Sequence, residues 1–383
     1  MRWGRWLAVS TASLVGVVVL AAGTVCVTSG CSSIGYLLQS AQGHVSLITS
    51  ARPVGDVIAD AQTSAALKER LALTQRLRDY AVSELKLPDN HSYRSYADLK
   101  RPAAVWNVVA APELSLKLRT WCFPIVGCVG YRGYYALDTA EAAAQPLREE
   151  GLEVAVYPVP AYSTLGKTEW LGGDPLLNTF VQWPEGELAR LIFHELAHQV
   201  AYAPGDTSFN EAFATSVERL GGERWLSTHA SQQARDQYAT LNSRREDMRA
   251  MVNRTRQALD ALYKSSLDDD GKRARKAELM AALRAEYAQA KAERWHGYAG
   301  YDLFFEKLNN ASLGVQAAYF GLVPAFEALF EREGHDFPRF YAAVKALAKQ
   351  PRAERDAAIK ALLPPGQAVP DATPEQGAAS EPS

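Results

Sequence analysis

His194-Glu195-Leu196-Ala197-His198, set within the longer run Leu188 to Val200, is the stretch on which the reading of this chain turns. Pro184 to Tyr202 reads as one helix. Proline stands in its first turn, Glu185 and Glu187 lie near its positive end, and Pro204-Gly205 follows just past its close. Four residues of α-helix turn about 400°, so His194 and His198 project from one face a turn apart, near enough to bind one ion. Neutral imidazole suits zinc. Glu195 lies about 100° round from His194, beside the open position of such a metal, where a carboxylate can take a proton from a water molecule as general base. Leu188, Leu191, Ile192, Leu196 and Val200 surround the helix with apolar side chains, so it reads as buried, with the motif in its interior. The plain alternative is two satisfied histidines in a core helix.

A catalytic zinc takes three protein ligands and keeps a fourth position open. Pro204-Gly205 turns the chain, and Phe209-Asn210-Glu211-Ala212-Phe213-Ala214-Thr215 then begins a second helix able to pack back on the first. Glu211 is the choice for third ligand. Asp206 competes with it, although aspartate is common in turns for local reasons. No third histidine follows at the short glycine-containing spacing of metzincins.

The His-Glu-x-x-His helix followed by Asn210-Glu211-Ala212-Phe213-Ala214 resembles the gluzincins, zinc peptidases whose third ligand is a glutamate, and in particular their aminopeptidase branch. The interval between the two motifs is shorter here than in the large aminopeptidases. Over roughly residues 30 to 350 the chain is most similar to a family of bacterial lipoproteins described as aminopeptidases. The stretches that carry this are Gly30-Cys31-Ser32-Ser33, Trp121 to Tyr134, Pro160 to Gly166, Asp174 to Thr179, and Leu188 to Val200. The resemblance implies a peptide substrate and an envelope location. It also implies an edge strand ahead of Pro160 to Gly166 that pairs with extended peptide, which makes Tyr162 and Ser163 candidate substrate contacts; an ordinary connecting loop is the alternative. A gluzincin tyrosine stabilises the oxyanion, and Tyr319 is the candidate here, with core packing as its other reading. Aminopeptidase action also requires a group that binds the substrate's ammonium. Glu169 and Asp174 are preferred over Glu218, which lies seven residues beyond Glu211 on nearly the same helical stripe.

Working outward, Asp60 to Leu87 has apolar residues at helical spacing, Val105 to Ala110 and Val129 to Ala136 read as strands, Thr139 to Glu150 as a helix, and Leu152 to Val159 as a strand. From His229 to Glu293 the chain is charged and alanine-rich, with a break at Asp268 to Gly271 that suits a turn between helices and lacks the ligand spacing of a calcium loop. The expected fold class is α+β: a small mixed sheet beside a zincin-like pair of helices, with a long helical hairpin insertion and a helical C-terminal part. The expected organisation is a signal peptide over 1–30, an N-terminal linker and helix over 31–59, and a catalytic part over 60–228. The hairpin follows over 229–294, then a helical C-terminal part over 295–363 and a tail over 364–383 whose Pro, Ala, Gln and Glu build no core.

Arg2 and Arg5 precede an uncharged run from Leu7 to Val27, which reads as an export signal or, being long enough to span a bilayer, as an uncleaved anchor. Thr28-Ser29-Gly30-Cys31 resembles a lipobox, so lipidation at Cys31 and a periplasm-facing position on the membrane, the outer membrane in particular, are expected. Exported proteins keep disulfides, and Cys122 and Cys128 stand close enough to form one; two reduced thiols are the alternative. A formal net charge of −2 and pI near 6.4, with no phosphate-binding glycine loop or basic stripe, argue against a nucleic-acid partner. The leading expectation is a zinc aminopeptidase of the bacterial envelope. The rivals are a zinc endopeptidase acting on envelope proteins and a non-catalytic scaffold.

Overall fold

Val108, Val109, Ala110 and Ala111 follow one another in Val105–Pro112 (β3) and bury that strand on both sides, as a central strand requires. In the computed structural model, which describes residues 32–123, 127–161, 172–320 and 322–363, β3 lies between β6 (Arg132–Tyr134) and β7 (Leu152–Val159). Both pairings are antiparallel, with Asn107 opposite Gly133 on one side and Tyr157 on the other. Val108, Ala110 and Val156 face helix α4 (Leu137–Glu149). Val109, Ala111, Ala155 and Tyr157 face helix α10 (Asn310–Phe320).

Two smaller sheets accompany it: β1 (Arg52–Pro53), β2 (Ser95–Ala97) and β8 (Leu176–Leu177) form one, and β4 (Trp121–Phe123) pairs with β5 (Gly127–Val129) in the other. Cys122 and Cys128 face each other across β4 and β5 and are joined by a disulfide. Helix α1 (Ser32–Thr49) lays Tyr36 against this region. Its hydroxyl accepts from Gly133 N at 3.2 Å, and its ring lies 5.3 Å from the Arg132 guanidinium carbon.

The largest core joins α2 (Val54–Ala59), α3 (Ala65–Ser83), α5 (Glu185–Ala197) and α6 (Thr207–Thr228) to the C-terminal helices α11 (Val323–Arg332), α12 (Phe337–Ala348) and α13 (Arg352–Lys360). The long helices α7 (Gln232–Lys264) and α8 (Asp269–Glu293) form an antiparallel hairpin. It has its own core of Met251, Leu259, Leu283 and Trp295, to which Phe305, just after α9 (Asp302–Glu306) begins, contributes. This is an α+β fold with a helical C-terminal part. No helix of the described residues is long and apolar enough to cross a membrane.

Several boundaries differ from the sequence reading for local reasons. Helix α3 starts at Ala65, because the Ser64 side chain caps it, and not at Asp60. The expected strand over Val129 to Ala136 is broken at Gly130-Tyr131 into β5 and β6. Asp268 caps α8, so Asp269 to Gly271 belong to its first turn. The expected helix over Pro184 to Tyr202 ends at Ala197. Past that point tertiary bonds take the chain: Asn90 Nδ2 donates to Gln199 Oε1 at 2.5 Å, and Gln199 Nε2 donates to Ser92 Oγ at 3.2 Å.

The start of α6 is pinned from the far end of the chain. Asp206 caps the helix, accepting from Phe209 N at 3.1 Å, and its Oδ2 receives Arg355 Nε at 2.9 Å and another guanidinium nitrogen at 2.7 Å. Both side chains are almost fully buried. Arg355→Leu leaves an unpaired buried carboxylate, and unfolding in urea is expected to show a loss of about 3–5 kcal/mol. Adding Asp206→Asn should recover most of that loss, because an amide still caps the helix without a charge.

Candidate metal centre

Helices α5 and α6 approach closely because α6 carries glycine where they touch. A Cβ at Gly221 would stand 2.6 Å from Leu85 Cδ1 and 3.1 Å from Phe193 Cδ2. Trp225 Nε1 of α6 also donates to Glu185 Oε1 at the start of α5, at 2.8 Å. The turn between the helices is closed by Asn210, whose Oδ1 accepts from Ala203 N at 2.7 Å and whose Nδ2 donates to Ala203 O at 2.9 Å. This two-way grip fixes the first turn of α6, and the next residue is Glu211.

The result is a triad. His194 Nε2 and His198 Nε2 lie 3.2 Å apart, Glu211 Oε2 lies 3.3 Å from the former, and Glu211 Oε1 lies 3.8 Å from the latter. One ligand atom from each residue falls within 4.8 Å of the others, a set able to hold a metal ion. His198 stands at the end of α5, as its C-cap, and not in the helix interior as the sequence suggested. Its φ of −57° and ψ of −24° are still helical, so the one-turn spacing of the two rings survives. Two imidazoles and a carboxylate fit zinc by donor type and number. Asp206 is spent on capping and on Arg355, which leaves Glu211 as the acidic member.

Burial opposes charge on every member of this site. It disfavours protonated His194, yet Glu211 and Glu218 outweigh it and hold that imidazole well above its usual range. For His198 burial prevails over Glu211, taking it down to about 4. Glu211 is lowered: burial raises it, but His198 and His194 act more strongly. Glu195 is pushed up to about 7, first by burial, with Glu211 and Asp174 adding repulsion and His194 opposing.

Asp174 is brought to the site, as an electrostatic neighbour of Glu195, and is buried at 3 % exposure. Its backbone is locked to the loop opposite. Tyr93 N donates to Asp174 O at 2.6 Å, Asp174 N donates to Ser92 Oγ at 3.2 Å, and Gly173 (φ +71°) is so close that a Cβ there would meet Ser92 N at 2.6 Å. Tyr93 itself has φ 65°, a left-handed conformation that is costly for a bulky residue, and its buried hydroxyl has no hydrogen-bond partner among the described residues. Both Glu195 and Asp174 act on that hydroxyl electrostatically.

Tyr162, Ser163, Glu169 and Cys31 lie outside the described residues. Tyr319 falls in α10, which packs on α6, β3 and β7, but its side chain is likewise outside them. The structure adds residues that the sequence did not single out. Tyr131, in the turn between β5 and β6, and Tyr157 of β7 both have phenols raised by burial and further by Glu211, whose charge reaches them. Glu218 does not face a free space for substrate: its two oxygens go to Arg190 and toward His194.

The chain thus has an α+β fold in which two histidines and a glutamate form a set able to hold a metal ion, with a further glutamate beside His194 on the same helix. The chain belongs to the family described as "Putative aminopeptidase", whose model matches residues 35–359. That membership supports a peptidase role. Neither the curated proteins nor the solved structures hold a match to the chain.

Replacing His194, His198 or Glu211 by alanine is expected to strip the metal from purified protein, whereas Glu195→Gln and Asp206→Asn should retain it. Elemental analysis checks this. Full metal occupancy in Glu211→Ala would move the third ligand elsewhere.

Proposed function

We propose that the protein is a zinc-dependent aminopeptidase of the bacterial cell envelope. The observation that carries the proposal is the triad of His194, His198 and Glu211 with Glu195 next to it on the same helix turn. Zinc bound there would polarise the scissile carbonyl and activate water. Glu195, half-buried and held up near neutrality, is suited to take a proton from that water and pass it to the leaving amine. Its adjacency to His194 holds the carboxylate beside the ligand set, and Asp174 and the Tyr93 hydroxyl lie within its electrostatic reach.

Asp174 is the described carboxylate we assign to the substrate's ammonium. It is buried within electrostatic reach of Glu195, so a positive amino group placed there gains where an N-acetylated one does not. The peptide chain would run from this end past β7, an edge strand, toward Tyr162 and Ser163. Tyr319 remains our choice for the oxyanion, with Tyr131 and Tyr157 as the described hydroxyls nearest Glu211 in electrostatic terms. The envelope assignment rests on Arg2, Arg5, the apolar run and Cys31, through which a lipid would fasten the protein to the membrane.

Unblocked amino-acid amides should be cleaved and their N-acetylated counterparts far more slowly. Asp174→Asn should lower kcat/KM on unblocked substrates by about ten- to hundredfold, the worth of a charge-assisted hydrogen bond, with zinc content unchanged. Equal cleavage of blocked and free substrates at internal bonds would make the protein an endopeptidase. Zinc content with no turnover of any peptide mixture would make it a scaffold. Mass spectrometry of membrane-derived protein should find a mature chain beginning at an acylated cysteine, and an unmodified chain beginning at Met1 would show an uncleaved anchor instead.

A further inference from the structure

Helix α6 presents two glutamates to the same histidine. Glu211 and Glu218 are seven residues apart, two turns on nearly one stripe, and they meet opposite sides of the His194 ring. Glu211 Oε2 lies 3.3 Å from Nε2, the nitrogen that faces His198, while Glu218 Oε2 lies 3.0 Å from Nδ1. The second approach is at ion-pair distance without the alignment of a full hydrogen bond. The other oxygen of Glu218 accepts from the Arg190 guanidinium, one turn before His194 on α5. His198 has no such arrangement: its Nδ1 is buried without a hydrogen-bond partner among the described residues.

Arg190 sits in a built cradle. Its side chain is 7 % exposed, and that of Glu218 is 13 % exposed. Its stem runs past Gly222 of α6, where a Cβ would stand 3.0 Å from Arg190 Cγ. Its guanidinium carbon lies 5.9 Å from the ring centre of Tyr238 on the hairpin helix α7, and that ring in turn packs on Gly186, where a Cβ would come within 2.6 Å of Tyr238 Cδ2. Arg245 of the same helix pairs with Glu187 of α5 at 2.5 Å. A buried arginine and glutamate held this tightly by three helices are costly to desolvate and weak evidence for stability alone. What the pair does is place a carboxylate on the back of one imidazole.

We propose that Glu218 is a positioning residue for the metal centre: it holds the proton of His194 on Nδ1 and so directs Nε2 at the ion, with Arg190 and hairpin residue Tyr238 holding Glu218 in place. A carboxylate on the distal ring nitrogen fixes both tautomer and ring orientation and raises the basicity of the ligating nitrogen. The hairpin is then part of the support of the metal centre and not an appendage to it. The proposal rests on the zinc reading above.

The test is zinc affinity of the full chain, measured by competition with a chromogenic chelator, beside the melting temperature of the zinc-free protein. Glu218→Gln should weaken zinc by ten- to hundredfold, while the zinc-free protein, left with Arg190 buried against an uncharged amide, melts lower than the wild type. Arg190→Lys, which keeps the cation but loses the planar fork, should weaken zinc by a smaller factor, and it decides the matter if Glu218→Gln does not fold. Zinc affinity within twofold of wild type in the folded variants, whatever happens to their melting temperatures, would reduce the pair to a packing role and overturn the proposal. A wild type that holds no zinc would overturn the zinc reading and this proposal with it.

Discussion

The constraint on which the site depends is the burial of like charge. Glu195, Glu211, Glu218 and Asp174 lie close enough that each of the first three feels another, in a region where burial penalises every ionised carboxylate. Removing several carboxylates from water together is tolerable only where cations or donors answer them. Arg190 and His194 answer Glu218, overcoming its burial and holding it down to about 2. The imidazoles answer Glu211, and a divalent ion between them would do so more completely. Glu195 is left with weaker compensation and rises toward neutrality, which is the state a proton carrier needs.

The scaffold follows from the same constraint. A site with this much buried charge needs rigid walls, and these are fastened by side-chain bonds, some local and some crossing large sequence distances. Arg355 holds the cap of α6, Asn210 closes the turn before Glu211, and Arg78 donates to the carbonyls of Ser92, Pro88 and Asn90 in the loop opposite. Asn310 ties α10 to the end of β3 through Pro112 O, and Lys276 of the hairpin reaches Glu113 O just beyond it. Helix packing alone would bring α5 and α6 together; these side-chain bonds help set where along their lengths they meet.

How much of this was legible in the sequence depends on whether the signal was periodic or tertiary. His194, His198 and Glu195 were legible because helical spacing alone puts them together. Glu211 was legible because a tight turn leaves few places for the next helix to go, and strand Leu152–Val159 because alternation and flanking turns bounded it on both sides. The end of α5 was not legible, since the chain beyond it is held by Asn90 and Ser92, neither of which is a helix-stop signal for that segment. Glu218 was visible as a position on a stripe, but its partner Arg190 belongs to the other helix, so its role as the neighbour of His194 needed the packing. Tyr131 could not be found from periodicity at all, because it stands in a two-residue break between short strands.

Asp206 and Glu211 show how a site chooses between two chemically similar groups. Both are carboxylates in the segment after the turn, and either could serve as a metal ligand by charge and donor atom. Asp206 has the shorter side chain and stands where the backbone is not yet helical, so its oxygens reach the free N–H of Phe209 before anything else. Glu211 is one turn further in, where the first-turn donors are already out of reach and the side chain projects from the helix face toward α5. The capping requirement therefore consumes the first acid and delivers the second. Arg355 makes that division stable, because a carboxylate already paired with a buried guanidinium has little to gain from swinging toward a cation elsewhere.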